Sequence, residues 1–204
     1  NSNTDNLRAD SYHAFAAYMA DVIEHWDKEG VITFQSTDPM NEPATNYWGA
    51  NSNKQEGCHF SQGESQSKIL VALNEELKNK GINIIISGTD ETNSGYNGGQ
   101  GGQIDSYNKL SDEAKAVLGR IDTHTYTRSS LSDLSALAQS EGKNLWMSEV
   151  DGSYTAGTKA GEMSAALGLA GAMMTEVNGL KCSAWILWNA IDMHADSSEY
   201  GQSW

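Results

Sequence analysis

The chain predicts an α/β fold built on a parallel sheet, and three observations carry that expectation. The predicted elements run helix, then strand–helix four times, then strand. One of the strands, "INIIISG" (82–88), is almost continuously apolar, as strands in helix-covered parallel sheets are. The segments after strands (43–63, 89–102, 151–158) are long, while those after helices are short. Parallel α/β folds, barrels included, build their sites on loops at the C-terminal ends of strands.

Each element has its own signal. Tyr12, Phe15, Ala16, Met19, Ile23 and Trp26 recur at helical spacing, so 7–28 predicts an amphipathic helix that Gly30 stops. "VITFQST" (31–37) is rich in β-branched residues and predicts a strand, extending toward 41. A helix over 64–80 ends at Gly81, and another occupies about 103–118. "RIDTHTY" (120–126) predicts a strand, 131–142 a helix, and "KNLWMSEV" (143–150) a strand. A small-residue helix over 159–179 and a strand over 181–190 complete the order. "SGYNGGQGG" (94–102) lacks both the Gly-Lys-Ser/Thr ending and the full Gly-x-Gly-x-x-Gly pattern, so it predicts a mobile surface loop rather than a phosphate cradle.

The 204 residues, 38% hydrophobic, suffice for one core and one domain. A net charge of −14 repels phosphate backbones and anionic lipid, which argues against nucleic-acid and membrane-surface partners and leaves a neutral sugar unaffected. No apolar run approaches the ~18 residues of a membrane span. The opening "NSNTDNLRAD" has no signal-peptide core, so any leader was removed or lies upstream. Cys58 follows one strand and Cys182 begins another, which places them on opposite sheet edges. That exceeds the ~7 Å limit for a disulfide, and both are expected to be unpaired. His13, His25, His59 and His194 form no ligand-spaced cluster, so no metal and no cofactor is assigned.

The only two prolines, Pro39 and Pro43, bracket Met40-Asn41-Glu42. Proline ends a ladder and biases its predecessor toward extended backbone, which would fix the chain around Glu42. Glu149 ends a strand after an apolar run, where an acid needs a partner or a purpose. Both acids are thus expected at one C-terminal sheet edge. Two carboxyls facing one cleft, one protonated as acid and one ionised as nucleophile or base, are the equipment of glycoside hydrolysis. Among 27 acidic residues, a strand that merely ends at prolines and two unrelated solvated acids are the plain alternative. Alternation puts Asp122, His124 and Tyr126 on one face, with His124 and Tyr126 within reach of such a site or serving as satisfied core residues. Tyr47, Trp48 and above all Trp188 offer rings on which sugar faces could stack, while Trp185 reads as core.

With "DPMNEP", "NYW", "QEGCHF", "DTHTY" and "WMSEVDG" on the page, residues 7 to 196 resemble the retaining glycoside hydrolases of clan A, family 30, and specifically the endo-β-1,6-galactanase branch. The resemblance implies a (β/α)8 barrel, with acid/base Glu42 after strand 4 and nucleophile Glu149 after strand 7. It also implies Asn41 on the sugar 2-hydroxyl, Tyr126 on the nucleophile and Trp188 under the glycone. The implied substrate is the β-1,6-galactan side chain of arabinogalactan, and the implied location is extracellular. A full barrel takes ~250 residues, and only five strands are predicted here, corresponding to strands 4 to 8. The chain 1–204 is therefore expected to be the C-terminal part of such a domain. Its open edges and apolar sheet faces would be covered by missing barrel strands or an oligomeric partner. A β-glucan or xylan specificity, or a non-catalytic carbohydrate-binding fragment, is the alternative.

Overall fold

The computed structural model describes residues 4–49, 57–151 and 161–188. Five parallel strands lie in the order β1-β2-β3-β4-β5, each beside its sequence neighbour. They are β1 Ser36–Thr37, β2 Ile85–Glu91, β3 Leu118–His124, β4 Asn144–Glu149 and β5 Ala184–Trp185. The connecting helices are α2 Glu64–Asn79, α3 Gln103–Lys109, α4 Asp112–Val117, α5 Leu131–Ser140 and α6 Met163–Leu180, with α1 Tyr12–Lys28 preceding β1. This is an open part of a (β/α)8 barrel.

The helices cover one face of the sheet. Ile69, Leu70, Leu73 and Leu77 of α2 recur at helical spacing and are buried against Ile86, Leu118 and Ile121 of the strands and Ala16, Ala20 and Ile23 of α1. The opposite face is polar, not apolar as expected. Arg120 and Asp122 of β3 point there by alternation. The Arg120 guanidinium donates to both Asp122 carboxylate oxygens, to Ser36 and to Ser87, and it stacks on Trp146 with 3.6 Å to the ring centroid. A planar fork donating in four directions ties β1, β2 and β3 together. The outer edges are short, since β1 and β5 have two residues each.

Several boundaries differ from the sequence expectation. Val31 and Ile32 form no strand: their N–H groups turn back to the Trp26 carbonyl at the end of α1, and both side chains are exposed. β2 begins three residues late, because Ile82 N–H still bonds Leu77 O, and it runs on through Thr89-Asp90-Glu91. The 103–118 helix is two helices, because Ser111 caps a new one, its Oγ accepting from Ala114 N at 3.1 Å. β3 spans 118–124, so Tyr126 stands just past it. Residues 159–160 and 189–190 of the last predicted helix and strand lie outside the described residues. Cys58 and Cys182 are free and half-buried.

Candidate active site

Glu42 does not sit in extended backbone. Its φ is +48°, despite the following proline. Tertiary hydrogen bonds override the local bias. Glu42 N–H donates to Asp90 O at 2.8 Å, and the Glu42 carbonyl accepts from Thr45 N at 3.2 Å, Thr45 Oγ1 at 2.9 Å and Trp48 Nε1 at 2.8 Å. The Pro43 carbonyl accepts from Phe60 N, and Ala44 N donates to Glu91 Oε2. A left-handed glutamate costs about 1 kcal/mol or more. Here the surrounding bonds aim its carboxyl inward, leaving the residue 5% exposed. Oε2 accepts from the Tyr47 hydroxyl, and Oε1 lies 3.1 Å from His124 Nδ1.

Glu149 reaches the same place by a simpler route. It is the last residue of β4, paired with His124 across the ladder after a register shift. Its Oε1 accepts from Tyr126 Oη at 2.8 Å and lies 3.7 Å from His124 Nδ1. One oxygen of each glutamate and one His124 nitrogen all lie within 4.8 Å of one another. Burial raises the Glu149 carboxyl above its ordinary value, opposed by the His124 charge and the Tyr126 hydrogen bond and assisted by Glu42 and Asp90. The ionised form expected of Glu149 is favoured by the Tyr126 bond and the His124 charge and opposed by burial.

His124 is fully enclosed. Burial, the largest influence, disfavours its charged form. The Asp90, Glu42 and Glu149 carboxylates together outweigh it and raise the ring well above the ordinary histidine range. Nε2 lies 3.3 Å from Asp90 Oδ2 but off the line of a hydrogen bond, an ion pair rather than a bond.

The other expected residues divide. Tyr126 meets Glu149 as the resemblance implied. Asn41 is half-buried beside Glu42. His124 is packed under the glutamates rather than open to a ligand. Trp48 is 3% exposed and braces the Glu42 carbonyl, so its ring is not an open stacking face in this structure. Trp188, 47% exposed, is bridged to Asp151 just beyond β4 and offers an open ring near the site. Trp185 packs against the core, its Nε1 donating to Glu176 at 2.5 Å. The 94–102 loop closes on itself through Asn97 and Gln100 beside the Glu42 loop.

Sequence reasoning missed Asp90 and Glu91. They follow an apolar run as Glu149 does, but ending the strand at 88 left them in a loop. A hollow of about 630 Å³ opens elsewhere, among Tyr12, His13, Lys68 and Glu75 on the outer helices. The acids that line it, Glu64, Glu75 and Glu113, are exposed, unlike the enclosed Glu42.

Residues 1–198 match the family model of O-glycosyl hydrolase family 30. An endo-β-1,6-galactanase of Hypocrea rufa is 28% identical over 192 residues, covering 93% of this chain and 36% of that protein. An exo-β-1,6-galactobiohydrolase of Bifidobacterium longum subsp. longum is 28% identical over 233 residues, covering 94% of this chain and 15% of that protein. The chain thus spans about a third or less of the curated relatives it matches. The solved structure of an endo-β-1,6-glucanase superposes with a TM-score of 0.67 at 21% identity, over 89% of this chain and 38% of that one, a likeness of fold.

Proposed function

The chain belongs to O-glycosyl hydrolase family 30, and on that premise we propose that it carries the two-glutamate centre of a retaining endo-glycosidase that cleaves β-1,6-galactan. On this reading it is the C-terminal part of the catalytic barrel, strands 4 to 8, of an extracellular enzyme acting on arabinogalactan side chains.

The observation that supports this is the separation of the two carboxyls, with one oxygen of each within 4.8 Å of the other. Retaining enzymes hold the pair about 5–5.5 Å apart, and inverting ones about 6.5–9.5 Å to admit water. Glu42 protonates the leaving oxygen while Glu149 attacks the anomeric carbon, forming a glycosyl-enzyme and releasing the leaving sugar. Glu42 then takes a proton from water, which attacks the same carbon and frees Glu149. Tyr126 holds the attacking carboxylate, Asn41 meets the 2-hydroxyl and Trp188 floors the glycone. The two named relatives act on β-1,6-linked galactose, which supports galactan over the glucan and xylan alternatives.

The test is trapping. A 2-fluoro activated galactoside that reacts but turns over slowly should add its glycosyl mass to the peptide bearing Glu149. First-formed product should have the β configuration by NMR. An α product would mean inversion and reject the assignment. The open sheet supports a second reading, carbohydrate binding without turnover by residues 1–204 alone. Galactan binding with no release of reducing ends from this chain would favour it.

A further inference from the structure

Asp90, near the C-terminal end of β2, bonds Glu42 directly and reaches Glu149 through its neighbours Ser148 and His124. Its carbonyl accepts the Glu42 N–H at 2.8 Å. Its Oδ1 accepts from Ser148 Oγ at 2.5 Å, one residue before Glu149. Its Oδ2 stands 3.3 Å from His124 Nε2, and the same ring presents Nδ1 to Glu42 Oε1 at 3.1 Å and Glu149 Oε1 at 3.7 Å. β2 and β4 are separated by β3, so strands ~9–10 Å apart are joined directly over His124.

We propose that Asp90 is a positioning residue, which clamps the His124 ring between Glu42 and Glu149 and ties the Glu42 loop to the strand of Glu149. The inference rests on the glycosidase reading of that pair for its catalytic consequence, though not for its structural one.

Residue type and backbone agree. Asp90 has a φ of +60°, a conformation that aspartate and asparagine tolerate better than most side chains. An aspartate here suits the left-handed backbone at the register shift in β2 and supplies a carboxylate to an enclosed imidazole. Every acid facing His124 contributes: Glu42 from the loop after β1, Asp90 from β2 and Glu149 from β4, with Tyr126 beside the ring at 5.9 Å between centroids. Of these, Asp90 alone faces Nε2, the nitrogen turned away from the glutamates. Removing its charge should free the ring to lose a proton or rotate, and the spacing of the two glutamates would lose its anchor. A serine on β4 donating to the same carboxylate fixes the second oxygen.

Asp90→Asn keeps the backbone preference and the size and removes the charge. In the 204-residue chain, nitrogen-detected NMR of His124 should show both ring nitrogens protonated through neutral pH, and the substitution should lower that titration by at least one pH unit. Ser148→Ala should move it in the same direction by less. In the natural-length enzyme, Asp90→Asn should lower kcat by at least about tenfold and leave KM within about twofold, because Asp90 acts through His124 and not on substrate. A His124 titration unmoved by Asp90→Asn, in a variant whose melting shows it folded, overturns the proposal whatever the activity. A shifted titration with kcat unchanged overturns its catalytic part. Absence of turnover in the unsubstituted enzyme counts against the glycosidase reading instead, and the NMR result still decides the clamp.

Discussion

The loop that carries Glu42 and the strand end that carries Glu149 deliver carboxyls to one point by opposite means. Glu149 is placed by the sheet: β4 pairing with β3 sets its position, and His124 at the end of β3 and Tyr126 just past it meet it there. Glu42 follows a strand of only two residues. It is placed by its bonds with Asp90 of β2 and Trp48 and by the bond from Phe60 to the adjacent Pro43 carbonyl, and it adopts a left-handed backbone. A carboxyl placed by a ladder tolerates change in distant loops. One placed by long-range bonds is sensitive to residues that never approach substrate.

The largest effects should come from the acids themselves and should differ in kind. On the proposed retaining mechanism, Glu149→Gln in the natural-length enzyme should abolish turnover of every substrate while ligand binding persists, because no covalent intermediate could form. Glu42→Gln should slow galactan about 10²- to 10⁴-fold but barely slow aryl glycosides, whose leaving groups need little protonation. Equal losses on both substrate types for both variants would erase the distinction drawn here. Steady-state kinetics on galactan and on a nitrophenyl galactoside decides it.

A smaller effect should expose the support of the Glu42 loop. Glu91 is fully buried, its Oε1 accepting from Ser106 at 2.5 Å and Gln66 at 2.9 Å and its Oε2 from Ala44 N at 3.2 Å. Burial, only partly offset by those bonds, pushes it from 4.5 up to about 7. The folded state therefore holds a proton that the unfolded chain releases above about pH 4.5. Its stabilisation is fully present below that pH and is lost as pH rises through about 7, on the order of 3 kcal/mol in all. Glu91→Gln should flatten stability between pH 4.5 and 7 in urea unfolding. An unchanged slope would mean that Glu91 is not the group that couples this loop to pH.

The contrast also explains what was legible in the sequence. The parallel order and the Glu149 site follow from local pattern, an apolar run ending in an acid, and local pattern was enough. β1 is shorter than its composition predicts because Val31 and Ile32 have strand chemistry but are drawn into the turn after α1. β2 runs past the apolar stretch that predicts it, through polar Thr89-Asp90-Glu91, so the apolar pattern does not reveal Asp90 and Glu91. The bonds that set Glu42 reach Asp90 and His124, 82 residues away for the latter. No window of sequence contains both ends of such a bond. Local rules suggested extended backbone at Glu42, and tertiary contacts reversed it.

The finest test compares the two tyrosines. Among the described residues, Tyr126 supplies the hydrogen bond to Glu149, whereas Glu42 has Tyr47 and also His124 at 3.1 Å. Removing one hydroxyl from a charged partner costs roughly 1.5–3 kcal/mol when nothing replaces it. Tyr126→Phe should therefore lower kcat roughly 10- to 100-fold, and Tyr47→Phe only a few-fold, because His124 and the backbone bonds still hold Glu42. The pH profiles should separate them as well. The Tyr126 bond favours ionised Glu149 against its burial, so its loss should raise that carboxyl further. On the proposed mechanism Glu149 must be ionised to attack, so the acidic limb of kcat/KM should move to higher pH in Tyr126→Phe and stay in place in Tyr47→Phe. Equal losses with no shift of the limb would mean that the strand end and the loop hold their carboxyls in the same way after all.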